Sequence, residues 1–421
     1  MEEKAFKRSQ ILYILFAALE YLIYILVSGS FLATLTKELG FSDSLTGILS
    51  AIITLGCLFQ LLSLYIQRTK VKKLVITSTI LNQLLFMALY LIALTNLTQQ
   101  VKIVLFVIII VVAYFIYNIV GPKKISWLMS LVDNRQRGIF TANKEIISLI
   151  FGMVFSFVMG IIVDHFAEIG QLKTAFIISA GVIFFLMIAN ALSLLFTVEK
   201  ELPPTSPQNM KQTIVELIHN KNILSVTIVF VLYYISSGIS TPFYGTYQIS
   251  ELGMSLKFVS AIVICGSVAR ISVSKFWGRY ADKKSFAAMT EKCFLFFGLS
   301  QVCVILAGPK TGNIMFALYN IFYGMALGGL NSALMNLVFD YVPMEKRADS
   351  FAITQAAAGL FGFLSTLCIS PLISLIQKKH IFLFGIPIYA QQIVTAIALV
   401  FTIFTILYVR KVLIKATRME L

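Results

Sequence analysis

An acidic residue, Glu20, lies in the middle of a long apolar run near the beginning of the chain. A membrane-spanning helix over this run would hold the carboxyl group near the centre of the bilayer. A charged acid there costs about 2.5–3.5 kcal/mol, which favours a position that faces a cavity. Ala17, Tyr24 and Ser28 share its helical face. Because burial disfavours the charged form, Glu20 is a candidate proton carrier; the alternative is an acid paired with a base for structural reasons.

Polar side chains also form stripes within three other apolar runs. Amides in hydrocarbon need hydrogen-bond partners, whereas a tyrosine stripe is more often a packing or lipid-contacting surface. If these stripes bind a solute, their hydroxyl and amide groups suit a hydroxylated one such as a sugar or glycoside, although aromatic stacking also serves drugs. The candidate binding residues are Tyr114 and Asn118 in the fourth run, Tyr234 and Tyr244 in the seventh, and Asn320 and Asn331 in the tenth.

Three basic residues fall deeper in apolar runs than a membrane surface would require. Arg270 lies about eight residues before Gly278. It is a candidate to pair with an acid such as Glu20, or to bind an anionic part of a solute. Lys123 and Lys124 follow Gly121 and Pro122, and snorkelling to the cytoplasmic interface would explain both lysines.

The elements that position these residues are membrane-spanning helices. The chain has 421 residues, 58% hydrophobic and 13% charged, with a mean hydropathy of +0.89. Soluble domains are about 45–50% apolar and about 25% charged, so this chain is a polytopic helical membrane protein. Twelve spans are predicted, with centres near residues 24, 55, 84, 113, 154, 185, 233, 264, 297, 325, 361 and 398.

A single long polar connection, residues 197–222, divides six predicted spans from six. Its Pro-rich beginning resists helix, whereas residues 210–219 suit a short amphipathic helix on the membrane surface. The predicted domains are therefore an N-terminal six-helix bundle (1–196), a cytoplasmic linker (197–222) and a C-terminal six-helix bundle (223–421).

The net charge of +15 is distributed unevenly between the two sides of the predicted spans. Roughly 25 Lys and Arg fall on the side of the predicted spans that holds both termini, against about 7 on the opposite side. This bias predicts a multi-pass protein of the cell membrane with both termini in the cytoplasm. Attraction to anionic lipid accounts for the positive charge without nucleic acid.

Matching segments at equivalent topological positions indicate that the chain is duplicated. "VDNRQRGIF" (132–140) corresponds to "VPMEKRADSF" (342–351), which aligns Arg137 with Arg347. "SLYIQRTKVKK" (63–73) and "GRYADKKSF" (278–286) occupy equivalent connections, after the second and eighth spans. The sequence thus predicts two pseudo-symmetric halves of six spans each.

The chain resembles the major facilitator superfamily over nearly its whole length. That family has a Gly-x-x-x-Asp-Arg-x-Gly-Arg-Arg type loop between helices two and three, often echoed between eight and nine. The first copy departs from this pattern at Ser63, Gln67 and Lys70, whereas the second retains Gly278 and Asp282. The resemblance implies a bacterial-type member, with helices one, four, seven and ten lining a central cavity. It also implies a cytoplasmic gate formed by Gln67, Arg68, Arg137, Gly278, Asp282, Lys283 and Arg347.

In that arrangement Gly278 would allow a close approach of helices, and Asp282 would interact with the positive end of the fifth helix, near residues 138–141. Such a contact would hold the outward-open state. The alternative is that these charges only end the eighth span at the membrane surface. Asp164 and His165, at the far end of the fifth span, are expected to be boundary residues.

The expected function is secondary active transport of a small organic solute by alternating access, coupled to protons, in a monomer. Drug or amphiphile export and lipid translocation are the alternatives on the same fold, and a sensor that does not transport also stays open. The Gly-Pro-rich fifth-helix motif of drug/proton antiporters does not occur here. An enzyme is not expected, because no nucleophile–base motif or phosphate loop is present. Five cysteines without CxxC spacing predict buried packing residues, with no disulfide, metal or cofactor.

Overall fold

The computed structural model of the protein describes residues 2–65, 70–132, 137–199, 219–340, 347–379, 382–383 and 386–414. Within them lie twelve helical segments that are long and apolar enough to cross a membrane, which confirms the twelve predicted spans and the all-α class. The predicted surface helix at 210–219 falls almost wholly outside the described residues.

The main helices of the twelve spans are, in order, Glu2–Leu26 with Gly29–Glu38, Asp43–Phe59, Lys72–Leu94, Gln99–Met129, Arg137–Glu168, Leu172–Leu195, Lys221–Ser240, Leu256–Lys283, Phe286–Ile305, Gly312–Asp340, Arg347–Lys379 and Ala390–Tyr408. Two strands of two residues, Phe382–Leu383 and Ile386–Pro387, form an antiparallel pair between the eleventh and twelfth spans. We refer to the helices below as the first to the twelfth span.

Several spans depart from a regular α-helix near their ends. The first span is interrupted before Gly29, whose φ of 53° lies in the left-handed region that glycine adopts at little cost. The second continues as a 3₁₀-helix, Gln60–Tyr65. The seventh passes through a 3₁₀ turn that contains Pro242 and ends as a π-helix, Tyr247–Glu251. These irregular turns change which side chains face the neighbouring spans.

Large apolar side chains cover the outward faces of the spans. Phe185 is 71% exposed, and Val154, Phe404 and Ile177 are also largely exposed. In water such a surface would cause aggregation, whereas in a bilayer it faces acyl chains.

The side chains of Cys265 and Cys368 are also exposed, so the prediction that all five cysteines are buried is wrong for these two. A thiol is apolar enough to face lipid.

The chain divides into two compact units, and each unit is made of three separate stretches of the sequence. The first unit comprises Met1–Ser42, Phe59–Pro207 and Ser255–Ser260; the second comprises Asp43–Leu58, Gln208–Met254 and Ala261–Leu421. Most of the second span therefore packs within the second unit, and the beginning of the eighth packs within the first. The domain boundaries at 196 and 223 remain predictions.

Each unit has its own apolar core. In the first unit, fully buried Trp127 packs with Phe16, Val75 and Leu128, and its indole nitrogen donates to the carbonyl oxygen of Val198 at 3.2 Å. In the second unit, Phe294 and Cys293 lie at the centre of a larger core. These cores hold the spans that carry the polar side chains described below.

Candidate functional site

Glu20 forms an ion pair with Lys124 of the fourth span. Lys124 Nζ lies 2.5 Å from Glu20 Oε1, and the two side chains are 9% and 21% exposed, respectively. Snorkelling to the interface therefore does not explain Lys124, because its ammonium group is paired with Glu20. The physical reason is that a partly buried carboxylate attracts the ammonium group more strongly than the headgroup region does, because solvent screens this attraction less.

Aromatic rings and a second lysine surround this ion pair. Lys124 Nζ lies 4.8 Å from the ring centre of Tyr117 and 5.2 Å from that of Phe16. Such cation–π contacts stabilise an ammonium group that has lost its water. Lys144 of the fifth span is close enough to interact electrostatically with both Glu20 and Lys124, and its Nζ lies over the ring of Tyr13. Two positive charges therefore act on one partly buried acid.

The ion pair lines a small pocket within the first unit. The third span contributes Ser78, Thr79 and Asn82 to its wall. Asn82 Nδ2 donates to the carbonyl oxygen of Ala113 at 2.8 Å, so its oxygen is the group left for a ligand. Sequence reasoning missed these three residues. Their spacing of three to four positions on an otherwise apolar helix is the signal that could have identified them. The complete lining is Glu20, Ser78, Thr79, Asn82, Ile116, Tyr117, Val120, Gly121 and Lys124.

Tyr114, Asn118 and Tyr24 lie in the same unit, but the first two are engaged in packing. The ring of Tyr114 is buried edge-to-face against Phe86, with centroids 5.3 Å apart. Asn118 Nδ2 donates to the carbonyl oxygen of Tyr114, and its Oδ1 accepts from Gln60 at 3.2 Å. Tyr24 is only partly buried, and its carbonyl oxygen accepts a hydrogen bond from Ser28. None of these three residues belongs to the pocket lining.

In the second unit, tyrosines of the seventh and tenth spans form a continuous aromatic cluster. Tyr319 and Tyr323 are stacked with centroids 5.4 Å apart, and Tyr244 meets Tyr319 edge-to-face at 5.2 Å. Tyr233 is hydrogen-bonded to Tyr323, and Tyr234 donates to Gln355 Oε1 at 2.9 Å. The cluster presents both ring faces and hydroxyl groups.

Three further predicted residues of the second unit have different surroundings. Arg270 is close enough to Tyr233 and Tyr323 to interact electrostatically with their phenol groups. The buried amide of Asn320 donates to the carbonyl oxygen of Phe316 in its own helix. Asn331 is exposed. The structure therefore brings Arg270 and Tyr234 to the aromatic cluster and leaves Asn331 apart from it.

The predicted gate residues are described only in part. Arg137 and Arg347 occupy equivalent positions, as the first residues of the fifth and eleventh helices. Gln67 and Arg68 lie outside the described residues. Asp282 and Lys283 are exposed. A Cβ added to Gly278 would meet no described atom within 4 Å, so close packing does not explain this glycine. The gate remains a prediction.

Asp164 joins the fifth span to the beginning of the eighth. Its two carboxylate oxygens accept hydrogen bonds from the backbone nitrogens of Leu256 and Lys257, at 2.9 and 2.7 Å. One turn away, a Cβ on Gly160 would lie 3.0 Å from the backbone of Leu256. Asp164 is therefore more than the boundary residue that the sequence predicts: it caps a neighbouring helix.

Among the described residues, no group of three or more His, Cys, Asp or Glu side chains is arranged to hold a metal ion. The contacts described at the two sites are ion pairs, hydrogen bonds and aromatic stacking.

Comparisons with known proteins agree with this architecture. Residues 11–366 match the sequence model of the Major Facilitator Superfamily. No curated protein sequence matches the chain. A mutant of the nucleoside transporter NupG has a similar solved structure, with a TM-score of 0.72 and 14% identity over 96% of this chain and 99% of that one. The POT family transporter PepTSo has a TM-score of 0.71 and 11% identity over 96% of this chain and 98% of that one. A D-xylose–proton symporter has a TM-score of 0.70 and 15% identity over 94% of this chain and 96% of that one. At such low identity the likeness concerns the fold.

Proposed function

Because the chain belongs to the major facilitator superfamily of transporters, we propose that it moves a small hydroxylated solute across the cell membrane by alternating access, driven by protons. The observation that carries this proposal is the Glu20–Lys124 ion pair, which lines a pocket with three polar side chains of the third span.

The ion pair supplies a physical means of coupling. Protonation of Glu20 removes the carboxylate that balances Lys124, and Lys144 then adds a second ammonium group nearby. Two unbalanced positive charges in a poorly hydrated region are unfavourable. A solute with oxygen atoms can then accept a hydrogen bond from Lys124. Proton binding and solute binding thus favour one another, as coupled transport requires.

The lining groups favour a hydroxylated solute. Ser78, Thr79 and Asn82 offer hydroxyl and amide groups, and Tyr117 adds a ring face. In the second unit, Tyr234 and Gln355 provide further hydrogen-bonding groups beside stacked tyrosines. Sugars and nucleosides combine hydroxyl groups with rings that pack on aromatic faces. Two of the similar solved structures are those of a nucleoside transporter and a D-xylose–proton symporter.

The solute class is tested first, by thermal unfolding of the purified protein with uridine, D-xylose, a dipeptide and a cationic dye. We expect stabilisation by a hydroxylated compound, because a ligand that binds the folded state raises its unfolding temperature. Stabilisation by the dye alone, or movement of labelled lipid without any water-soluble solute, would favour an exporter or a lipid translocase instead.

Coupling is tested in proteoliposomes with the solute so identified. A pH gradient should drive accumulation by the wild type, and Glu20→Gln should abolish accumulation while solute exchange at equal pH persists. Glu291→Gln is the matched control, because Glu291 is likewise an acid in an ion pair, with Arg410, but lies in another unit. Undiminished gradient-driven uptake by Glu20→Gln would remove Glu20 from the mechanism.

A further inference from the structure

Two adjacent residues of the third span have hydroxyl groups without partners in the wall of the small pocket. Among the described residues, neither Ser78 Oγ nor Thr79 Oγ1 forms a hydrogen bond. Hydroxyl groups within a helix usually bond to a carbonyl oxygen of the preceding turn, as Thr77 does with Lys73 at 2.9 Å. Ser78 and Thr79 depart from this pattern, so their hydroxyl groups remain available to a ligand.

Thr79 and Asn82 are too deeply buried for bulk water to satisfy them. The two residues are 7% and 4% exposed, respectively. The nitrogen of Asn82 donates to the carbonyl oxygen of Ala113, which is not part of the pocket lining, so Oδ1 is the polar atom that Asn82 has left for the pocket. Buried polar groups in native proteins are seldom left unpaired. Something bound in the pocket is therefore the expected partner of both side chains.

The fourth span adds a further acceptor and open space. Pro122 lies inside this helix and has no N–H group, so the carbonyl oxygen of Asn118, four residues earlier, lacks its usual helical donor. Gly121 belongs to the same turn and lines the pocket, and a Cβ added to it would meet no described atom within 4 Å. Open space therefore adjoins the turn whose hydrogen bond is missing.

Charge and size restrict what the pocket can hold. The carboxylate of Glu20 opposes an anion, whereas the ammonium group of Lys124, with Lys144 close enough to add its charge, opposes a cation. The pocket is small, with room for about one water molecule. A neutral O–H group satisfies these conditions, because it can donate to an amide oxygen and accept from a hydroxyl group at the same time.

We propose that Ser78, Thr79 and Asn82 bind a single O–H group beside the ion pair. A water molecule fills this site in the empty protein, and one hydroxyl group of the transported solute displaces it. The O–H group donates to Asn82 Oδ1 and accepts from Thr79 Oγ1. The displacement step rests on the proposed function, whereas the water site does not. The third span is not one of the four that the family resemblance places around the central cavity, so this is a side site that selects one hydroxyl group.

Such a site discriminates between solutes that differ by one hydroxyl group. A solute gains affinity from displacing an ordered water molecule only if it reproduces the hydrogen bonds of that water. A deoxy analogue cannot do so and leaves the buried groups of Thr79 and Asn82 unpaired, which a site built for hydrogen bonding rejects strongly.

Thermal unfolding of the purified, solute-free protein tests the water site. Thr79→Val replaces the hydroxyl group by a methyl group of similar shape. If water bridges Thr79 and Asn82, this change should lower the unfolding midpoint by a few degrees, whereas Thr79→Ser should keep the wild-type value. Thr77→Val is the matched control, because the hydroxyl group of Thr77 is exposed and bonded to its own helix. An unchanged or raised midpoint in Thr79→Val would overturn the proposal, because valine then only removes an unpaired hydroxyl group.

Titration calorimetry with uridine and D-xylose, each compared with its monodeoxy analogues, tests the displacement. The wild type should bind one analogue at least tenfold more weakly than the parent compound. Thr79→Val should lose this preference, and Thr77→Val should keep it. A preference that survives in Thr79→Val would overturn the displacement step. If neither parent compound binds while Thr79→Val is destabilised as expected, the proposed solute class fails and the site holds water alone.

Discussion

A lysine and a glutamate that are in contact between two membrane spans stabilise the protein only as a pair. Removing one partner leaves the other charge buried and uncompensated, which is far more costly than replacing both. Glu20 retains 21% exposure and Lys124 only 9%, so the lysine is the more poorly hydrated of the two. We therefore expect Lys124 to tolerate the loss of its partner less well than Glu20 does.

A double-mutant cycle measures this dependence. Glu20→Gln and Lys124→Met should each lower the thermal unfolding midpoint, and the double variant should lose less than the sum of the two, with a coupling energy of about 0.5–3 kcal/mol. The measurement is unfolding in one detergent at one pH. Additive losses would mean that the two charges do not depend on each other for stability.

At the residue scale, the sequence identified Glu20 as a candidate but did not predict its contact with Lys124. Glu20 is conspicuous because an acid in an apolar run is costly. Lys124 is ambiguous, since a lysine near a span end can reach either an interface or the interior. Ser78, Thr79 and Asn82 were missed because small polar side chains in a span are inexpensive and frequent.

At the scale of helices, small residues set how closely neighbouring spans approach. A Cβ on Gly324 of the tenth span would lie 2.0 Å from the carbonyl oxygen of Gly266 in the eighth, and a Cβ on Gly266 would lie 2.6 Å from the carbonyl oxygen of Asn320. These contacts involve backbone atoms, which cannot move aside as a flexible side chain can. Gly181, in contrast, has no described atom within 4 Å of its Cβ position.

Alanine substitutions separate these two kinds of glycine. Gly324→Ala should destabilise the protein by about 1–3 kcal/mol, because it forces the eighth and tenth spans apart. Gly181→Ala should be neutral or stabilising by up to about 1 kcal/mol, because it only lowers the entropy of the unfolded chain. Thermal unfolding compares them, and a tolerated Gly324→Ala would contradict the packing described here.

The spans themselves could be predicted, and their irregular ends could not. Length and apolar composition locate a span, because about 20 apolar residues cross a bilayer whatever lies beside them. The π-helical end of the seventh span, Tyr247–Glu251, depends on packing with other helices. The same applies to the cap that Asp164 provides for the eighth span, whose partner atoms lie about ninety positions further along the chain.

At the scale of the whole molecule, charge predicts orientation. By the positive-inside rule, the excess of Lys and Arg on the side that holds both termini predicts that this side lies in the cytoplasm. A green fluorescent protein fused after Leu421 should therefore fluoresce, and alkaline phosphatase fused after Gly170, in the connection after the fifth span, should be active. Inactive phosphatase at Gly170 together with active phosphatase at the C-terminus would reverse the topology.

The sequence by itself determined the membrane class, the number of spans and the family, since each depends on local composition or on motifs within one stretch of chain. Only the tertiary structure decided which polar groups meet: Glu20 with Lys124, Asp164 with the eighth span, and Asp43 with Glu251 through Gln377. The physical reason is that a helix satisfies its own backbone, whereas a buried polar side chain must find a partner on another helix. Distance along the chain does not indicate which helix that is.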